Sequence, residues 1–247
     1  GEPLYLVNRS GNRPSHEGAA PWIDRAVELT GKVFGRTLLR GDTAFSLTEH
    51  FDRWTEAGVG FVFGYSAAPN LVEIAEKLSQ EQWVPLQRRE KSPAVGQSRA
   101  RPENVKEKIV EQRGFKNLVL QQEHVAEFAY SPTRCRRTYR MVALRKRIEV
   151  REGQTGLFEE DRYFFYVTNI EDSTPQEVVF LNNDRCNQEN LLSELSSGLN
   201  AMRMPAGDLE SNWAYMVMAS LAWTLKAWFA LHVWLRGERS ELLRMGF

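Results

Sequence analysis

Three stretches of this chain carry side chains whose types and spacing could do chemistry. The first is Thr37-Leu38-Leu39-Arg40-Gly41-Asp42, a short apolar run closed by glycine and aspartate. It reads as a buried strand that delivers a carboxylate at its C-terminal end, although an aspartate there also suits a plain turn from strand to helix. The second is the polar block Asn182 to Asn190, set inside a segment that otherwise reads as an apolar helix. At about 3.6 residues per turn, Asn182, Arg185, Glu189 and Ser196 fall near one line. That face offers a cation and a carboxylate for binding, or forms an ordinary solvated face with an Arg185 to Glu189 ion pair. The third runs from Arg134 to Arg151, where eight basic residues against the single Glu149 leave a local charge of +7. Arg and Lys there could neutralise backbone phosphate and Tyr139 could stack on a base, or the charge could guard a sheet edge against aggregation.

These residues need elements to position them. Thr174 followed by Pro175 and Glu177 is a capping box with proline at the first helical position, so a helix starts there; Val178 to Leu181 and then Leu191, Leu192, Leu195 and Leu199 supply its apolar surface. Leu4 to Val7 reads as a strand, and Pro21 starts a helix carrying Trp22, Ile23, Ala26, Val27 and Leu29. After the Asp42 run, Ser46 with Glu49 opens a helix, Phe61 to Phe63 forms a strand, and Pro69 opens a helix to about Leu78. Strand alternating with helix favours an α/β core with at least partly parallel pairing. From Trp83 the pattern changes: residues 87–104 look like a mobile loop, and residues 117–150 read as successive strands. Alternation there predicts Arg137, Tyr139, Met141, Arg145 and Arg147 on one face, with Arg140, Val142, Leu144, Lys146 and Ile148 on the other. The aromatic strand Tyr163 to Val167 returns to the core, which makes the basic strands an insertion and divides the chain into 1–82, 83–161 and 162–247.

Composition narrows the chemistry. At 247 residues with 42% hydrophobic content the chain can bury a large core, and 32 basic against 32 acidic residues leave no whole-chain charge to attract nucleic acid or membrane. Cys135 and Cys186 form no C-x-x-C pair and the four histidines no ligand spacing, which argues against a disulfide framework, a zinc site or a histidine-held metal and suits a reducing cytoplasm. Trp213 to Leu235 is apolar and about as long as a membrane span. Lys226, His232, Ser220 and Thr224 argue instead for a core helix buried on several sides, with a membrane-associated protein as the lesser alternative.

The strings Asp184 to Asn190, Gly198 to Pro205, Ser211 to Tyr215 and Leu221 to Trp228 resemble bacterial insertion-sequence transposases of the DDE group, as do Leu38 to Asp42 with Phe45-Ser46, His50-Phe51-Asp52 and the aromatic strand up to Thr168-Asn169. The likeness keeps one order from about Leu4 to Leu231. It implies a ribonuclease-H-like α/β fold interrupted by a β-rich insertion, with C-terminal helices. It also implies two divalent cations, Mg²⁺ or Mn²⁺, with Asp42 as the second aspartate and Glu189 as the glutamate; hard oxygen ligands suit those ions. The family signature around that glutamate joins a tyrosine, an arginine and a lysine that contact DNA phosphates. Arg185 and Glu189 match it, whereas Asn182 and Ser196 stand at the tyrosine and lysine positions. Asn182 can still hydrogen-bond a phosphate, and Trp83 could stack on a displaced base or serve as a core tryptophan.

The first aspartate of the family is expected before the strand that opens this chain, and Asp24, inside the first helix, is no substitute. The resemblance therefore predicts a fragment, open at both ends and inactive alone because two carboxylates hold two cations weakly. The implied activity is metal-dependent cleavage and strand transfer at insertion-sequence ends, by a homodimer on paired ends in the bacterial cytoplasm, with Arg136, Arg137, Arg140, Arg145 and Arg147 on the DNA. A non-catalytic DNA-binding remnant is the alternative.

Overall fold

A computed structural model describes residues 2–88, 116–152, 155–184 and 186–232. The predicted loop at residues 87–104 thus lies almost wholly outside the described residues, as does Arg185. The chain divides into two compact units, Leu38–Asn182 and the combination of Gly1–Thr37 with Asn183–Phe247.

The first unit is built on one six-stranded sheet: β1 (Leu38–Gly41), β2 (Gly60–Tyr65), β3 (Val84–Pro85), β4 (Lys116–Tyr130), β5 (Tyr139–Glu152) and β6 (Thr155–Thr168), in the order β1-β2-β6-β5-β4-β3. β1 and β2 are parallel, an arrangement that needs a long crossover connection, here one that carries α2 (Phe51–Glu56), and the other pairs are antiparallel. The expected α/β class with partly parallel pairing is what the chain adopts. The basic strands do not close a sheet of their own: β6 returns alongside β2, pairing Val62 with Thr168 and Tyr65 with Phe165.

Alternation along the central strands sorts side chains onto two covered faces. On one, Phe51 of α2 stacks on Phe61 and Phe63 at 4.6 and 5.7 Å, and Tyr139 of β5 meets Phe51 edge-on at 5.7 Å. Fully burying such rings contributes roughly 1.5–3 kcal/mol each. On the other, Val62, Val142, Leu144 and Tyr166 pack against Val178 and Val179 of α4 (Pro175–Asn183). The cap of α4 is the predicted box: Glu177 N donates to Thr174 Oγ1 at 3.2 Å, and Thr174 N donates to Glu177 Oε2 at 2.8 Å. The Ser46 to Glu49 start does not form. Ser46 Oγ donates to Thr43 O, and the helix begins at Phe51 after a single 3-10 turn. α3 (Pro69–Lys77) starts at its proline as expected.

In the second unit, α1 (Ala20–Gly31), α5 (Cys186–Ser193), a π turn (Glu194–Gly198) and α6 (Leu209–His232) are joined by irregular chain. The predicted strand Leu4 to Val7 is not formed; at Leu6 the carbonyl accepts from the Trp213 indole at 2.6 Å. Trp213 meets Trp22 edge-on at 6.1 Å, and Trp22 meets Tyr5 at 5.4 Å.

Two helical expectations are corrected. The polar block is not the middle of one helix, since α4 ends at Asn183 and α5 starts at Cys186. Asn and Asp side chains compete for backbone hydrogen bonds, so Asn183-Asp184 is a natural break. Nor is α6 buried on several sides: its inward residues are Asn212, Met216, Ser220, Ala227 and Ala230, while Met218, Leu221, Leu225 and Phe229 are exposed. Within the described residues this helix is long and apolar enough to cross a membrane by length and composition, and 28% of its most apolar window is buried.

Candidate active site

Asp42 follows β1 directly and caps a 3-10 turn, Thr43–Phe45, with Oδ1 accepting from Ala44 N at 3.0 Å. Two glycines let this turn lie close to the sheet. A Cβ on Gly41 would sit 2.9 Å from both Phe45 Cβ and Phe63 Cδ1, and one on Gly64 would sit 3.1 Å from Thr43 N. The strand end is tied from behind by α4. Asn182, only 3% exposed, donates from Nδ2 to Gly41 O at 3.0 Å and to Val62 O at 3.3 Å, and Arg40 Nη1 donates to Leu181 O at 3.0 Å. At the other end of β2, Asn169 accepts from Phe61 N at 2.8 Å and donates to Val59 O at 2.9 Å, and Thr168 Oγ1 donates to Phe61 O at 2.7 Å.

The predicted phosphate role of Asn182 does not match where its side chain lies. It follows the buried Val178 by four residues, so the helix carries its amide to the core face. That i,i+4 spacing from an apolar position is the sequence signal for the inward orientation.

Glu189 lies on α5, in the other compact unit, with its side chain exposed. Among the described residues no group of three or more His, Cys, Asp or Glu side chains comes together as a metal site. Asp42 by itself offers a carboxylate oxygen of the kind a hard divalent cation takes, at the carboxyl end of a parallel strand pair, where open α/β sheets place their ligands.

The basic strand also reads differently in three dimensions. Both faces of β5 are covered at Met141 to Leu144, so the face predicted to carry Arg137, Tyr139, Met141, Arg145 and Arg147 is in large part core. Arg145 is 8% exposed; its guanidinium lies 4.4 Å over the Trp83 ring and donates to Gln80 Oε1 at 3.1 Å. Trp83, 5% exposed, is the core tryptophan and not a free stacking platform. Arg140 donates to Glu127, Ile170 O and Ser173 O, and Arg147 grips Asp161 bidentately at 3.0 and 3.2 Å. That hydrogen-bonded Arg147 holds the Asp161 carboxyl below its ordinary range. Burial, with the charges of Arg145 and Arg147, likewise lowers the His124 imidazole and favours its neutral form.

Arg136 and Arg137 differ. Their side chains are 83% and 52% exposed in the turn between β4 and β5, each 3.7 Å from Glu56. That turn is anchored by Asp52 of α2, which accepts from Arg136 N at 2.7 Å, from Tyr139 Oη at 2.7 Å and from Arg137 N at 3.4 Å. Burial pushes the Asp52 carboxyl up, but the donors of Arg136, Tyr139 and Arg137 and the Arg136 charge outweigh it and leave the group below its ordinary value. Nothing in the one-dimensional pattern marked Asp52 as an anchor.

A mixed sheet with one parallel strand pair, an aspartate turn at the carboxyl end of that pair and packed helices define an α/β protein. Comparison with known families makes this specific: the chain belongs to the transposase family described as Transposase DDE domain group 1, whose model matches residues 1–243. A search of curated proteins gave no match. Membership places the chain among transposases and implies DNA as the substrate.

Proposed function

We propose that this chain supplies the catalytic carboxylates Asp42 and Glu189 for divalent-metal-dependent DNA cleavage and strand transfer at the ends of an insertion sequence. The observation that carries the reading is the Asp42 turn, which holds a carboxylate at a strand end through Ala44 N and whose Thr43 backbone lies close against Gly64. Family membership and the resemblance support it. Two Mg²⁺ or Mn²⁺ ions would supply an activated attacking oxygen and a stabilised leaving oxygen for an in-line displacement. Asp42 and Glu189 serve as oxygen ligands, and Arg185 grips a phosphate. Exposed Arg136 and Arg137 add phosphate contacts, while Arg140, Arg145, Arg147 and Trp83 shape the sheet that presents them. The fold follows the ribonuclease-H-like plan, and two copies hold the paired ends in the bacterial cytoplasm.

The test is cleavage of plasmid DNA carrying the element's ends by the protein as encoded, with Mg²⁺ or Mn²⁺. Asp42→Ala and Glu189→Ala should each lower cleavage roughly a thousandfold, the loss of several kcal/mol of transition-state stabilisation, with DNA binding retained. Wild-type rates in either variant would refute the assignment, and a folded wild type that binds the ends without cutting them would favour the non-catalytic reading.

A further inference from the structure

We propose that Asn182 is the positioning residue for Asp42, fixing the orientation of its carboxylate through the preceding peptide; this rests on the reading of Asp42 as a metal ligand. Asn182 uses its amide nitrogen for two carbonyls on neighbouring strands, Gly41 O at 3.0 Å and Val62 O at 3.3 Å, from a site 3% exposed. The Gly41 carbonyl and the Asp42 N–H belong to one planar peptide unit. Holding that carbonyl therefore holds the axis from which the Asp42 side chain departs, and the Ala44 N–H then fixes Oδ1. Gly41 makes the restraint necessary: the close packing of Phe45 and Phe63 demands a residue without Cβ, whose backbone is otherwise the most permissive of all. The second bond to Val62 O prevents the clamp from moving with β1 alone, because β1 and β2 are tied at the same point.

The chemistry of the side chain matters as well. A carboxamide donates two protons without carrying charge. An aspartate at 182 would lose both donors and add a negative charge beside the Gly41 and Val62 carbonyls. A leucine would fill similar volume and donate nothing, leaving two buried carbonyls without this partner.

The experiment is Mn²⁺ binding by the purified protein, followed by titration of the free-ion signal, for wild type, Asn182→Leu and Asp42→Asn. Thermal melting and binding to end DNA are measured alongside. Asn182→Leu should weaken Mn²⁺ binding about tenfold or more, as losing a partner behind a ligand does, with DNA binding unchanged. Unchanged Mn²⁺ affinity in folded Asn182→Leu, beside a loss in Asp42→Asn, would overturn the positioning role alone. Unchanged affinity in Asp42→Asn would overturn the ligand assignment and the positioning role with it. Should Asn182→Leu fail to fold, Asn182→Ala, which removes both donors and suits the helix, takes its place, and the same outcomes decide.

Discussion

The Asp42 turn and the turn between β4 and β5 perform one structural task with opposite chemistry. Each follows or precedes a strand of the same sheet, and each is tied down by a polar side chain from a packed helix. At Asp42 the anchor is Asn182, a neutral donor to main-chain carbonyls; at the basic turn it is Asp52, a charged acceptor of two main-chain N–H groups and a tyrosine hydroxyl. The difference follows from what each turn carries. Beside Asp42 an anionic anchor would repel the carboxylate it serves, whereas beside Arg136 and Arg137 a carboxylate is attracted to the load it holds. One anchor is consequently indifferent to pH and the other is not.

Removing the charged anchor should give the larger effect on stability. Asp52→Ala removes the shared acceptor of two exposed main-chain N–H groups and of the Tyr139 hydroxyl, which keeps Thr55 as a neighbour, and should cost about 1–2 kcal/mol at neutral pH, read by denaturant melting. A cost near zero would mean that the turn holds without its anchor, and the contrast with Asn182 would fail.

The pH dependence sharpens the same contrast. Asp52 has a folded value below its ordinary 3.8, so its contribution is present above that value and disappears as pH falls through the lower, folded value. The stability gap between wild type and Asp52→Asn should therefore be constant through neutral pH and close only in acid. The gap between wild type and Asn182→Leu should show no closing from titration at position 182 itself. A wild-type to Asp52→Asn gap that closes above pH 5 would contradict the lowered value.

The smallest effect belongs to the load and not the anchors. Arg136→Ala and Arg137→Ala should leave melting unchanged and weaken DNA binding modestly, each reducing the salt dependence of log K by about 0.9. The same substitution at Arg147, spent on Asp161, should leave that slope unchanged. Equal slopes for all three would show that inward pairing does not separate these arginines.

How much of this was legible in the sequence follows from the range of the forces involved. Local signals were readable: the Thr174 to Glu177 capping box, Pro69 opening its helix, and the strand leading to Asp42 all formed where their residues indicated. Non-local partners were not. Alternation correctly put Arg145 and Tyr139 on one face of β5, but it could not show that Trp83 and α2 would cover that face and convert a basic surface into core. Asn182 looked like part of a solvated line because the line assumed an unbroken helix; the helix ends at Asn183, and the carbonyls that Asn182 meets on β1 and β2 lie far away in sequence. The Leu4 to Val7 run had strand composition, yet it pairs with no strand among the described residues, and the Trp213 indole donates to Leu6 O.

The most direct test of the central claim is the metal dependence of cleavage by Asp42→Cys. Exchanging a hard carboxylate for a soft thiolate at a ligand position should abolish cleavage in Mg²⁺ and restore part of it in the more thiophilic Mn²⁺ or Cd²⁺. Cleavage in Mg²⁺ at the wild-type rate would show that Asp42 is only the cap of its turn, and would remove the site from the end of β1.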